Sequence, residues 1–383
     1  LHARVLRFAR TSLDAQSGLQ PPSAEGADDF ERLACDIARL QADTSPGYAR
    51  LVERRGSQLD SLDSIPAVPV ETFRLTRVAT HPVEDDVARF VTSGTTGSAA
   101  GTHVFRTLAT YRELALAWGE RALFSAWPGP KTVVALAPVP TEPPTSSLGF
   151  MMQTFMERFD GRALKQNATG VPFDGRSGAR WLVTLSGLDV EGLRRAAAVA
   201  RARSEPLFVL ATAFTLVALL DALEGDSLHA PSRTVVMQTG GFKGRSREIA
   251  PDKLRAGVAA AFRVGETSVV GEYGMTELTS QLYEGTVPGA ALAGPRGVYL
   301  EPPWLRVIPV DPSTLRPVPE GQPGIARIVD LGNVDSAVVV LTQDVVRRSG
   351  PGIELLGRRT GAPPRGCSLP FEGLLRGEPR GAR

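Results

Sequence analysis

Lysine, cysteine and histidine are scarce in this 383-residue chain, and no long apolar run interrupts it. Lys131, Lys165, Lys243 and Lys253 are its lysines; arginine supplies the other basic side chains, and acids balance them to a net charge of +2. So even a balance gives no electrostatic case for a nucleic acid or an anionic membrane as partner. Two cysteines, Cys35 and Cys367, exclude a disulfide framework, and no Cys/His cluster has zinc-site spacing. This economy suits a reducing, cytoplasmic setting. The longest mainly apolar stretch, residues 206–220, falls short of the ~20 residues a spanning helix needs, and reads as a buried strand turning into a helix. Arg4, Arg7 and Arg10 stand among apolar residues, but residues 11–17 are mostly polar, so no signal-peptide core follows them. The length allows one large domain or two unequal ones.

What is abundant is concentrated. Between Thr92 and Thr102, three glycines and six hydroxyl side chains occupy eleven residues. Glycine allows tight turns and close approach to a ligand, and successive backbone N–H groups with Ser/Thr hydroxyls form an anion site. A Gly/Ser/Thr run also suits a plain polar surface loop. Its flanks favour the site: Phe90 and Val91 look like a strand end, and residues 110–124 like a helix. The Walker A pattern and its lysine are absent.

Along the rest of the chain, strand-like and helical patterns alternate. Residues 28–40 carry an apolar stripe at Phe30, Leu33, Ala34, Ile37 and Leu40, with Cys35 pointing away from it. Residues 64–70 are proline-punctuated and extended. Strands are expected at 132–137, 207–211, 234–238 and 268–271, and helices at 147–159, 190–203, 214–223 and 251–262, the last with Pro251 near its start and Gly265 after its end. Alternation of this kind predicts an α/β domain with a largely parallel sheet, whose ligands gather at the carboxyl ends of the strands. From about Pro302 the texture changes to short strands at 304–309, 324–329 and 338–342, joined by Pro/Gly turns, and the Arg/Gly/Pro-rich tail beyond Gly357 reads as mobile.

The second chemical motif runs Gly271-Glu272-Tyr273-Gly274-Met275-Thr276-Glu277. Alone it suits a strand end with a glycine turn. It also offers a ring to stack on a base, a hydroxyl for a phosphate oxygen and a carboxylate for Mg²⁺.

Together, the Thr-Ser-Gly-Thr-Thr-Gly loop and this Tyr-Gly-x-Thr-Glu motif resemble the adenylate-forming superfamily of acyl and aminoacyl activating enzymes. Three further stretches follow in the superfamily's order: Thr239-Gly240-Gly241-Phe242-Lys243, Leu341-Thr342-Gln343-Asp344 and Gly357-Arg358. Within it, the chain looks most like the LuxE-type acyl-protein synthetases, the long-chain fatty acid–protein ligases of bacterial luminescence. The extended phrase from Gly271 to Gln281, an expected absence of the carboxyl-terminal lid of acyl-CoA ligases, and Arg365-Gly366-Cys367-Ser368-Leu369 carry that likeness, which weakens before Phe90.

The resemblance implies an adenylate-forming-enzyme-like α/β core over residues 1–300, with mixed and parallel sheets and helices. A small β subdomain at 301–345 would complete the nucleotide site, and a short carboxyl-terminal segment at 346–383 would carry the acyl-accepting cysteine. It implies ATP and Mg²⁺. Ser93, Gly94, Thr95, Thr96 and Gly97 would bind phosphates, and Gly240 and Gly241 would line the adenine pocket. Tyr273 beside Gly274 would stack on adenine, Thr276 would contact the α-phosphate, Glu277 would hold Mg²⁺, and Asp344 with Arg358 would hold ribose. The expected activity joins a carboxylic acid, as a rule a long-chain fatty acid, to AMP and then to Cys367 as a thioester, for delivery to a partner such as an acyl reductase. Where many superfamily loops end in lysine this one reads Gly101-Thr102-His103, making His103 a candidate substitute. The catalytic lysine of the lid has no evident counterpart, and Lys243 is the candidate for its role or simply a surface charge.

Cys367 also has a case of its own. Pro363, Pro364, Arg365 and Gly366 precede it, which predicts exposure, and nearby arginines favour the thiolate, the nucleophilic form. A bystander cysteine in a loose tail is the plainer reading. Two alternatives remain: a coenzyme A ligase similar to phenylacetate–CoA ligases, which needs no tail cysteine, and an inactive nucleotide-binding protein. Residues 148–152 and 211–214 would suit an acyl pocket or simply core.

Overall fold

The computed structural model describes residues 1–16, 29–92, 100–160, 180–240 and 249–359. Three helices lead in: α1 (His2–Gln16), α2 (Phe30–Thr44) and α3 (Pro46–Arg55). The α2 helix starts where Asp29 accepts a hydrogen bond from the Arg32 amide at 2.7 Å, and it buries Phe30, Leu33, Ala34, Ile37 and Ala38. Cys35 does not point away from this face: it is buried in the same core, because the buried arc of α2 is wider than the stripe read from the sequence. Strand β1 (Val68–Pro69) and the single turn α4 (Thr72–Leu75) follow. The hairpin β2 (Ala88–Val91) and β3 (Thr102–Phe105) then brackets the Gly/Thr loop.

The centre is a mixed sheet. Its parallel half is built by β4 (Thr132–Leu136), β7 (Leu207–Thr212), β8 (Thr234–Thr239) and β9 (Val269–Tyr273), paired side by side in that order. Helices α5 (Ala109–Gly119) and α6 (Ser147–Phe159) cover one face, where Val133, Phe208, Leu210 and Met237 are buried. On the other face Val134, Val209 and Val236 meet α7 (Val190–Ala202), α8 (Ala213–Leu223) and α9 (Pro251–Phe262). Strands covered on both sides read as unbroken apolar runs, which is why they were legible. A two-strand hairpin, β5 (Val183–Thr184) and β6 (Gly187–Leu188), precedes α7.

Helix α9 begins at Pro251 as expected, but its left-handed C-cap is Arg263 at φ 57°, with Gly265 beyond it in ordinary extended backbone. Strands β10 (Leu282–Glu284) and β11 (Val298–Leu300) continue the sheet antiparallel from β9. The ladder then runs from β11 to β15 (Gly352–Arg358), β14 (Val339–Ser349), β13 (Pro323–Asp330) and β12 (Leu305–Val310), all antiparallel, with β1 alongside β14. Leu305, Val307, Ile328, Val340, Val346 and Ile353 form a separate small core there, closed by Phe73 and Leu278. No helix among the described residues is long and apolar enough to cross a membrane.

Candidate functional site

β8 and β9 are adjacent and parallel, and Thr239 stands opposite Glu272 in their register. Their carboxyl ends therefore bring Thr239–Gly240 and the motif from Glu272 to Glu277 side by side, where ligands of parallel sheets collect. Gly240 turns the chain out of β8 at φ 73°, a conformation that costs a side chain more than glycine. Gly274 leaves space instead: a Cβ there would lie 2.6 Å from Glu272 Oε1 and would push that carboxyl aside.

Tyr273 ends β9 with its hydroxyl donating to Asp344 Oδ2 at 2.9 Å. Asp344 and Arg358 are cross-strand partners on β14 and β15, and Arg358 Nε lies 3.1 Å from Asp344 Oδ1. Three strands separate β9 from β14, which on a flat sheet would set them roughly 19 Å apart. The Tyr273–Asp344 bond therefore exists because the antiparallel half curls back over the end of the parallel half. Burial and the adjacent Asp344 carboxylate push the Tyr273 phenol well above its ordinary range, so it stays a neutral donor.

The turn carrying Thr276 and Glu277 is braced from below. His103 on β3 is buried, with Nδ1 2.7 Å from the Thr276 carbonyl and Nε2 2.7 Å from Ser336 Oγ. Burial lowers its pKa to about 4, the Thr276 carbonyl and Asp335 opposing, so the ring is neutral. With a neutral ring, Nδ1–H donates to Thr276 and Nε2 accepts from Ser336. His103 thus ties the strand leaving the Gly/Thr loop to the turn bearing Glu277, and both its nitrogens are engaged there, away from a lysine-like role at a phosphate. Asn333 Nδ2 donates to the Glu277 carbonyl at 3.0 Å and the Ala337 carbonyl at 2.9 Å, and Thr279 Oγ1 donates to Asn333 Oδ1 at 2.7 Å. Asp330 accepts from the amides of Thr279, Ser280 and Gly332 and from the Ser280 hydroxyl. Burial pushes its carboxyl up to about 6 against those four donors, which leaves it a carboxylate at neutral pH.

Most of these bracing residues carry no signal in the sequence. His103 was noticed for its place after the loop, but Asp330, Asn333 and Ser336 sit in a β13–β14 turn with no pattern pointing back to residue 276.

The stem of the Gly/Thr loop is closed twice: the Thr92 amide donates to the Gly101 carbonyl at 2.8 Å, and the Gly101 amide to Thr92 Oγ1 at 2.7 Å. Ser93, Gly94, Thr95, Thr96 and Gly97 lie outside the described residues, as do Gly241, Lys243 and Cys367. Tyr273, Gly274, Thr276, Glu277, Asp344, Arg358 and Gly240 are described, and the first six form one neighbourhood around the ends of β9 and β15 and the middle of β14.

A cavity of about 20 Å³ lies beside the motif, between Glu272, Gly274, Met275 and Gln281 and the α6 residues Leu148 and Met151. Burial pushes the Glu272 carboxyl up to about 7, with the Thr239 hydroxyl, which donates to Glu272 Oε2, pulling the other way. Of the two stretches expected to suit an acyl pocket, Leu148 and Met151 line this cavity and residues 211–214 do not.

No protein-family model matches the chain, and no curated protein sequence matches it. Solved structures do. An open conformation of 2-hydroxyisobutyryl-CoA ligase in complex with 2-HIB-AMP and CoA matches with a TM-score of 0.57 at 15% identity, over 85% of this chain and 73% of that one. The same ligase in the thioesterification state matches at 0.58 and 15%, over 85% of this chain and 66% of that one. The fold is that of adenylate-forming enzymes. This chain thus spans 66–73% of the length of the ligase chains it resembles. On this fold the Tyr273–Asp344–Arg358 group sets a ring, a carboxylate and a guanidinium side by side. The Glu277 turn, held from behind by His103 and Asn333, offers an oxygen donor.

Proposed function

We propose that the protein is a ligase that uses ATP to convert a carboxylic acid to an acyl-adenylate and pyrophosphate, and then transfers the acyl group to Cys367 as a thioester. The observation that carries the first step is the meeting of Tyr273, Asp344 and Arg358 beside the Thr276–Glu277 turn. The Asp344 carboxylate suits the two ribose hydroxyls as acceptor, with Arg358 fixing its orientation and Tyr273 presenting its ring to the base. Ser93, Thr95 and Thr96, with the amides of Gly94 and Gly97, are the groups proposed for the phosphates. Gly240 and Gly241 let the backbone approach adenine, Gly274 leaves room for the turn, and Lys243 is the available cation for charge developing on the α-phosphate.

Mg²⁺ fits the donor set. Mg²⁺ takes oxygen ligands, as a rule one or two carboxylates together with the substrate phosphates, and the turn carries such a carboxylate. Glu277 is the proposed carboxylate, and the ion when bound would neutralise phosphate charge. Thr276 would hold the α-phosphate oxygen. His103 and Asn333 hold the Thr276 and Glu277 carbonyls, so the backbone that carries both side chains is fixed in advance.

For the second step, the Cys367 thiolate attacks the acyl carbonyl, AMP leaves with the electrons of the anhydride bond, and a thioester remains. An acyl reductase is one fitting acceptor of that acyl group. The solved structures that share the fold are named as CoA ligases, which supports coenzyme A as the rival acceptor. The deciding experiment supplies labelled acid and Mg·ATP with and without coenzyme A. Wild type acquires a hydroxylamine-sensitive label and Cys367→Ser does not, while Cys35→Ser, whose thiol is buried in α2, labels normally. Full labelling of Cys367→Ser, or acyl-CoA formed without any protein label, removes the thioester step.

A further inference from the structure

The cavity beside Glu272 and Gln281 is too polar for the role of an apolar acyl tunnel. Gln281 is only 3% exposed; its Nε2 donates to the Tyr111 hydroxyl at 3.0 Å, and that hydroxyl donates to the Ser147 carbonyl at 3.3 Å. The chain of bonds fixes the amide plane and leaves Gln281 Oε1 buried with no donor among the described residues. Across the cavity the Glu272 carboxyl, 6% exposed, takes the Thr239 hydroxyl on Oε2. A buried acceptor without a partner is costly, and natural structures rarely leave one without a reason. An alkyl chain entering here would seal that cost in. A leucine or methionine at 281 would serve such a chain better.

The size of the space narrows the occupant. About 20 Å³ holds roughly one water-sized group, and Leu148, Met151 and Met275 line it. We infer that this cavity receives the hydroxyl group of a short hydroxy-substituted carboxylic acid, which donates to Gln281 Oε1 and bonds to Glu272. The inference rests on the adenylation reading, because Gly274 and Met275, which wall the cavity, lead directly into Thr276 and Glu277. A hydroxyl suits the pair chemically: it donates to the amide oxygen, and it can either accept from the Glu272 carboxyl when that group is protonated or donate to it when ionised. An ammonium would instead require Glu272 to ionise in place.

The test compares lactate and 3-hydroxybutyrate with propionate, butyrate, alanine and myristate in acid-dependent exchange of pyrophosphate into ATP. Thermal unfolding with ATP plus each acid reads binding without turnover. A hydroxy acid is expected to exceed its unsubstituted partner at least tenfold in kcat/KM, since the partner strands the buried polar groups. Gln281→Leu should bring the two within about threefold, through the KM of the hydroxy acid. Glu272→Gln, which keeps the shape, is the second variant and should reduce the ratio as well. Preference for butyrate, alanine or myristate, or a ratio untouched in both variants, overturns the inference. Silence with every acid defeats the adenylation reading itself. The cavity assignment then stands only if a hydroxy acid raises the melting temperature more than its unsubstituted partner does, and equal or absent shifts remove it.

Discussion

His103 gives a prediction whose size follows from the structure. The ring is buried, and its pKa falls from 6.5 to about 4. Because the unfolded chain protonates near 6.5 and the folded one near 4, the folded state binds fewer protons between those values. The stability His103 contributes is therefore complete above pH 6.5 and lost as pH falls towards 4. A depression of ~2.5 units at ~1.4 kcal/mol each makes the full loss about 3.5 kcal/mol. Glu272 and Asp330 work in the opposite sense: their raised folded pKa values make the folded state bind extra protons at mildly acid pH. Wild type alone therefore mixes the signals, and the difference between wild type and His103→Asn isolates the imidazole. Asparagine keeps a donor where Nδ1 stands, for the Thr276 carbonyl, and has no titration. Guanidinium unfolding from pH 7.5 to pH 4.5 should show the wild-type advantage over the variant shrinking by about 2–3 kcal/mol. Parallel pH profiles would refute a buried neutral histidine at this position.

Glu272→Gln should stabilise the protein by up to about 3 kcal/mol at pH 8, where wild type must ionise a buried carboxyl, and by little at pH 4.5; denaturant titration at both values checks the sign. Asn333→Ala removes donors 3.0 and 2.9 Å from the Glu277 and Ala337 carbonyls, so unfolding free energy should drop by roughly 2–4 kcal/mol, measured the same way. Tyr273→Phe deletes the 2.9 Å bond to Asp344 and should raise the KM for ATP about tenfold, with a smaller change in kcat; an unchanged KM separates Asp344 from the nucleotide. Glu277→Gln nearly preserves shape and should slow adenylation at least tenfold, about 1.4 kcal/mol of barrier, read as exchange rate at limiting Mg²⁺.

The parallel half of the sheet was readable because its strands are buried on both faces and flanked by capped helices. Ser147–Phe159 and Pro251–Phe262 occur with the boundaries their patterns indicated. The antiparallel half was less so. β10, β11 and β15 are short or half-exposed, and the alternation in β15 is broken at Gly357. The first helix, His2–Gln16, buries only Val5 and Ala9, too little apolar periodicity to stand out among its arginines. At the site, Tyr273, Thr276, Glu277, Asp344 and Arg358 could be named because their local phrases resemble a known pattern. What sequence could not give was their support: His103 reaches Thr276 across 173 positions and Gln41 reaches Asn333 across 292. Contacts so distant leave no local spacing to read. Likewise the cavity polarity arises from Gln281 and Tyr111, 170 positions apart, each unremarkable in its own segment.

Adenylation is the claim on which the remaining steps depend, and isotope exchange tests it without assuming any acceptor. Purified protein with Mg·ATP, labelled pyrophosphate and a panel of short hydroxy, short unsubstituted, aryl and long-chain acids should incorporate label into ATP only when a suitable acid is present. Asp344→Asn should cut that incorporation at least tenfold. Incorporation with no acid added, or none with any acid in the panel, would contradict an acyl-adenylate at this site.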